Sequence, residues 1–181
     1  MFIRYQESLK KQAEFIESKR KDYMYTKFTT QEEPKRAAGR IRGLIVEQHV
    51  TDFFKTNYPE NYKEADNFEQ WEKPCNHDFK LELSDKKVIT IDVSGPQANG
   101  KFGSYYLKPK GCDFHIIARI IGMKSWDNID YTRGFQILGV CDDIDYNQNF
   151  NINKLKEFGK WIESLNLKNY NVIKTNSFEF M

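Results

Sequence analysis

The sequence predicts one α/β domain, a central mixed β-sheet flanked by helices with an amphipathic helix in front of it. Three observations carry that expectation. The chain has 181 residues, enough for one substantial core and short for two. Phe79, Leu81 and Leu83 alternate with polar residues, as do Ile89, Ile91 and Val93, which is the period of half-buried strands. Helical spacing of apolar residues, by contrast, occupies both ends of the chain. Neither a linker nor an internal repeat divides it, so residues 1–181 read as a single domain: 1–30 an N-terminal helix and polar connector, 34–181 the core.

Taken in order, residues 4–23 form a helix with Tyr5, Leu9, Ala13 and Ile16 on one stripe, which docks on the core or pairs with a second subunit; a homodimer is thereby left open. Thr30-Gln31-Glu32-Glu33 has the form of a capping box, and Pro34 is tolerated in the first turn of a long helix over 34–57 that ends near Asn57-Tyr58-Pro59. Residues 60–73 fit irregular structure or an edge strand. Strands follow around 79–83 and 88–93. The Gly- and Pro-containing stretch 95–111 is a loop with a short strand at Tyr105-Tyr106-Leu107, and 113–121 and 135–140 are further strands. Asn151 to Leu165 reads as a helix with Ile152, Leu155, Phe158, Ile162 and Leu165 inward, and Asn171 to Lys174 as a final strand.

The hairpin concentrates the chemistry. Burying the two apolar rows together pairs Phe79 with Ile91 and Leu81 with Ile89, leaves Ser84-Asp85-Lys86 as the loop, and puts Asp78 opposite Asp92 on one face unless a bulge intervenes. Directly opposed residues have Cβ atoms about 4.5–5.5 Å apart. Two carboxylates so placed repel unless a cation lies between them, so removing either charge should leave the metal-free protein no less stable.

The sequence of Asp78, a strand and turn, then Ile91-Asp92-Val93-Ser94 resembles the PD-(D/E)xK nuclease superfamily, the fold of many restriction endonucleases and of Holliday junction resolvases. Arg40 to Phe54 is similar to its first core helix, with Glu47 at the position of a metal-directed glutamate, and the stretches 113–121 and 135–140 to its later strands; the likeness spans roughly residues 36–145. The resemblance implies a restriction-endonuclease-like core and hydrolysis of DNA phosphodiester bonds. It assigns Mg²⁺ or Mn²⁺ to Asp78, Asp92, Glu47 and the carbonyl of Val93. One position departs from the pattern: Ser94 stands where the family has lysine, and a hydroxyl supplies no positive charge. A lysine from elsewhere would have to serve. Lys80, Lys101, Lys108 and Lys110 are in range, and Lys108 is the one favoured, which makes Asp78, Asp92, Glu47 and Lys108 the expected catalytic set. A catalytically inactive nucleic-acid-binding module of the same fold is the alternative, as is a Holliday junction resolvase.

The formal net charge of +2 excludes neither DNA nor protein partners. Basic residues cluster at Lys19-Arg20-Lys21, at Lys35-Arg36 with Arg40 and Arg42, and from Lys101 to Lys110, and such clusters engage phosphates or form solvated faces. No secretory signal or long apolar run is present, so a cytoplasmic protein without a membrane partner is expected. The three cysteines, Cys75, Cys112 and Cys141, are odd in number and widely spaced, which argues for reduced thiols. Cys75-x-His77 and Cys112-x-x-His115 contain zinc-type donors, but on a strand over 112–121 Cys112 and His115 would project to opposite faces and could not chelate one ion without an interruption. His77 is expected to hydrogen-bond near the site and His49 to be structural.

Overall fold

The alternating rows of Phe79 and Leu81 with Ile89 and Ile91 meet as the burial argument requires. In the computed structural model, which describes residues 1–24, 33–65, 75–95, 107–125 and 127–167, Phe79 pairs with Ile91 and Leu81 with Ile89 in an antiparallel hairpin of β3 (Phe79–Glu82) and β4 (Val88–Ser94). The Leu83 N–H donates to the Lys87 carbonyl at 2.7 Å and closes the Ser84-Asp85-Lys86 loop.

Around this hairpin the described residues form a six-stranded mixed sheet ordered β1-β6-β5-β4-β3-β2. Its remaining strands are β1 (Phe2–Ile3), β2 (Tyr62–Glu64), β5 (Phe114–Ile120) and β6 (Phe135–Asp142). Neighbours are antiparallel except β4 and β5, which run parallel. The stretch that fitted either irregular structure or an edge strand supplies β2 at one edge; the other edge, β1, is too short to leave a periodic signal. The third strand starts at Phe114 rather than 113. Asp113 is occupied instead in tying the chain to β4, accepting the N–H and Oγ–H of Thr90, each at 2.8 Å.

Among the described residues three α-helices accompany the sheet: α1 (Glu7–Met24), α2 (Glu33–Asn57) and α3 (Phe158–Ser164). The α2 residues Leu44, Ile45, Val50 and Phe54 join Phe79, Leu81, Ile89, Ile91, Ile116, Phe135 and Ile137 from one sheet face, with Phe158, Trp161 and Ile162 of α3, in one buried cluster. Each such side chain, fully buried, contributes about 1.5–3 kcal/mol of transfer free energy. α1 docks on this assembly through Ala13 and Ile16, both buried, and through an ion pair between Glu17 and Arg40 of α2 at 2.7 Å. His49 fastens the start of α1 to α2: its Nε2 accepts the Gln6 N–H at 2.9 Å while its Nδ1 lies 2.6 Å from the Ile45 carbonyl. The structural role expected for His49 is the one seen, and burial pulls its imidazole below the usual range.

The C-terminal helix is shorter than its apolar spacing suggests. Val140 and Lys156 exchange backbone hydrogen bonds of 3.0 and 2.8 Å, which holds 155–157 extended against β6 and delays the helix to Phe158. Leu107 lies in irregular chain, and the capping box at 30–33 and the strands expected at 105–106 and 171–174 fall wholly or mainly outside the described residues. Among the described residues no helix is long and apolar enough to cross a membrane.

Phe54, with its ring 4.8 Å from that of Phe79, couples α2 to the hairpin. Phe54→Ala is expected to cost about 3–5 kcal/mol, read as a lower urea midpoint at unchanged slope. A loss below 1 kcal/mol would mean that α2 is held to the sheet by other contacts.

Candidate active site

Directly paired residues of neighbouring strands share a sheet face. Asp92 of β4 pairs with His115 of β5, and His115 with Cys141 of β6, so these three side chains form a row on the face opposite the main core. Asp92 is only 4% exposed, and a carboxylate so placed requires compensation. It receives it from three donors: Lys110 Nζ lies 2.5 Å from Oδ1, while Ser94 Oγ at 2.8 Å and His115 Nδ1 at 2.9 Å bond to Oδ2. Burial pushes its carboxyl upward, but the bonds and charges of His115 and Lys110 outweigh this and hold it below the usual range.

Asp78 is reached differently from the expectation. Its backbone N–H donates to Ile91 O at 2.8 Å, the residue already paired with Phe79, so the ladder stops one residue short of an Asp78–Asp92 pair. The carboxylate instead reaches β4 beyond the last β3 partner, where Oδ2 accepts the Val93 N–H at 2.7 Å in place of the missing strand carbonyl. From there it feels the charge of Glu47, from α2, and of Asp92 across the hairpin. Burial first, then Glu47, then Asp92, push the Asp78 carboxyl well above the ordinary carboxylate range. Tyr62 of β2 stands in the field of Glu47 and Asp78 as well, and its phenol is raised, mainly by burial. Of the expected metal set, Asp78 thus stands within electrostatic reach of both Glu47 and Asp92, while Val93 contributes its N–H to Asp78; the three carboxylates do not form one close cluster.

The lysine on these carboxylates is Lys110, not Lys108. Lys108 is exposed, while two residues later the chain delivers the Lys110 ammonium to Asp92. What fixes that choice is Asp143, just after β6. Its Oδ1 accepts the Lys110 backbone N–H at 2.7 Å and its Oδ2 the Gly111 N–H at 2.9 Å. Gly111 has φ of +83°, a conformation that a side chain disfavours and that lets two successive N–H groups face one carboxylate. Lys80 sits in β3 opposite Thr90, and Lys101 lies outside the described residues. Ser94 uses its hydroxyl to orient Asp92.

Sequence reasoning missed the roles of His115 and Asp143. His115 bridges the two aspartates, its Nε2 2.7 Å from Asp143 Oδ1, and Tyr146 stacks on its ring at 3.9 Å between centroids. The available signal was a histidine at alternate parity on a strand whose other residues, Arg119 apart, are apolar. His77 Nδ1 lies 2.7 Å from Asn76 Oδ1, and Asn76 in turn donates to the Gly111 carbonyl at 2.7 Å, tying the segment before β3 to the Lys110 loop. Of the basic cluster leading into α2, the two residues whose side chains are described are not free: Arg40 is engaged by Glu17, and Arg42 is half-buried. Cys112 contacts His115 Nε2 at 3.4 Å, an arrangement reminiscent of a cysteine nucleophile. Burial and the charges of Asp143 and Asp92 push its thiol far upward, however, so it is held as the unreactive thiol. None of the three cysteines is in a disulfide.

Glu47, Asp78 and Asp92 offer oxygen donors of the kind a hard divalent cation takes, but among the described residues the three donors that lie within 4.8 Å of one another are those of Cys112, His115 and Asp143. No protein-family model matches this chain, nor does any curated protein or solved structure.

The two aspartates should respond oppositely to loss of charge without divalent ions. Asp78 binds its proton more tightly folded than unfolded, so its ionised form costs stability once pH exceeds about 3.9, the unfolded value. Asp78→Asn should therefore raise the urea midpoint at pH 7 and leave it unchanged near pH 3. Asp92 has the reverse sign: its stabilisation is present above the unfolded value and disappears as pH falls through its lowered pKa. Asp92→Asn should cost roughly 1–3 kcal/mol at pH 7, which corrects the expectation that both substitutions would be harmless. Equal shifts in the two variants would contradict the assigned environments.

Proposed function

We propose that this protein is a divalent-metal-dependent endonuclease with a restriction-endonuclease-like core, hydrolysing phosphodiester bonds in DNA. The observation that carries the reading is the Lys110 ammonium on Asp92, 2.5 Å from Oδ1, with Asp78 within electrostatic reach of Asp92 and of Glu47. It answers the difficulty raised by Ser94, because the positive charge reaches the carboxylates from a different backbone position.

In this reading Asp78 and Asp92 hold Mg²⁺ or Mn²⁺, with the Val93 carbonyl and Glu47 as further oxygen donors. The ion, when bound, polarises the phosphate and lowers the pKa of an attacking water. The protein's own groups do the remainder. Ser94 and His115 hold Oδ2 of Asp92 and leave Oδ1 to Lys110, and the Val93 N–H fixes Asp78. Lys110 has a side chain 45% exposed, so its ammonium stands at the rim, where it donates to phosphate oxygens as negative charge builds on them. Asp143 keeps the Lys110 backbone at the height this requires. The rival, a binding module that has lost its chemistry, shares every feature except turnover.

Supercoiled, linear and branched DNA incubated with the protein should be cut only with Mg²⁺ or Mn²⁺ present, and Asp78→Asn and Asp92→Asn should abolish cutting while remaining folded. Lys110→Ala should lower kcat by about 10²–10³, with Lys108→Ala close to wild type. Cleavage surviving in both aspartate variants would place the chemistry elsewhere. Binding without cutting by wild type, under all these conditions, would establish the inactive module.

A further inference from the structure

Behind Asp92, three donors of different chemistry meet. Cys112 Sγ lies 3.4 Å from His115 Nε2 and 3.5 Å from Asp143 Oδ1, and the last two atoms are 2.7 Å apart. All three side chains are shielded: Cys112 is 8% exposed, His115 0%, and the Asp143 side chain 13%. The objection that Cys112 and His115 point to opposite faces applies only if both belong to one strand. β5 begins at Phe114, with Asp113 anchored to Thr90, so Cys112 precedes the strand and its sulfur swings onto the His115 side.

We propose that Cys112, His115 and Asp143 bind a zinc-class transition metal ion, with water in the fourth position. The proposal is independent of the nuclease reading and concerns a different set of donors from Glu47 and Asp78.

Tetrahedral zinc has bonds of about 2.3 Å to sulfur and about 2.0–2.2 Å to nitrogen and oxygen, which spaces its donors roughly 3.2–3.6 Å apart. Both distances from Cys112 already match. Only the His115–Asp143 contact has to open, by roughly half an ångström. The ligands are also held as metal ligands are. A metal-bound histidine characteristically donates its second ring N–H to a carboxylate, and His115 Nδ1 does so to Asp92 Oδ2 at 2.9 Å. Asp143 is oriented by the N–H groups of Lys110 and Gly111, and the His115 ring by its stack on Tyr146. With Nδ1–H committed to Asp92, a neutral His115 would face the Asp143 oxygen with a bare lone pair at 2.7 Å, a contact that calls for a proton or a cation between them. A metal ion fills that role and displaces the Cys112 proton, since a coordinating thiol is deprotonated outright. Sulfur and imidazole select zinc, cobalt or a similar ion over magnesium. The bound ion would lock the Lys110–Cys112 loop to β5 and to the chain after β6.

The test is titration of chelator-treated full-length protein with Co²⁺, followed by displacement with Zn²⁺. One equivalent per chain should bind with thiolate-to-cobalt charge-transfer absorption. Cys112→Ser should abolish that absorption and weaken zinc binding by at least about a hundredfold, the upper end of what loss of even an outer partner costs. Cys75→Ser, Cys141→Ser and Asp78→Asn should keep it. X-ray absorption on zinc-loaded wild type, which needs no variant to fold, should show one sulfur at about 2.3 Å. A wild type without the absorption, absorption that survives Cys112→Ser, or a zinc shell of nitrogen and oxygen alone overturns the proposal and leaves a proton between His115 and Asp143. Cleavage is not a readout in any of these arms, so an inactive nuclease leaves the result intact.

Discussion

A negative charge buried in the middle of a sheet organises this molecule. Asp92 sits in β4 where an apolar residue would ordinarily lie, and the free energy of removing a carboxylate from water is large enough that the surroundings must answer it. Three answers converge on it: the Ser94 hydroxyl from the same strand, the His115 ring from the next, and the Lys110 ammonium from the loop between the two. Asp143 then becomes necessary, because it holds both the far side of the His115 ring and the backbone of the loop that carries Lys110. The second half of the sheet is thus built around a charge that the first half introduces.

Asp78 illustrates the opposite solution. It has one backbone donor and two acidic neighbours, so its charge is poorly met by the protein itself. Two aspartates a strand apart therefore differ in kind, one held ionised by its partners and one whose charge burial and acidic neighbours disfavour. That asymmetry is more informative than the presence of two acids.

Much of this was legible in the sequence wherever a period was long enough to constrain it. Alternation over Phe79–Leu83 and Ile89–Val93 determined the hairpin register, since a slip of one residue would expose an entire apolar row. The same argument placed Asp78 beside Asp92, although it could not show the ladder stopping at Phe79. Apolar spacing likewise located α2 and put Glu47 at the border of its buried stripe. Loops carry no such period. Lys108 and Lys110 are equivalent as sequence, and what separates them is a pair of backbone hydrogen bonds to Asp143, more than thirty residues away. His115 was hidden for a related reason: its parity was visible, but the parallel register that sets it against Asp92 was not. The final helix was overextended because apolar spacing over 151–165 is blind to the Val140–Lys156 backbone pairing.

The parallel pairing of β4 with β5 also has a consequence in time. Parallel partners need a crossover longer than a hairpin turn, so β4 and β5 pair later than the β3–β4 hairpin closes. As the polypeptide emerges from the ribosome N-terminus first, Glu47, Asp78 and Asp92 are present well before Lys110, His115 and Asp143 can reach them. A nascent or partly folded chain has the acidic residues without the groups that neutralise and orient Asp92. Synthesis order and sheet topology together leave Asp92 without these partners until β5 and β6 have docked.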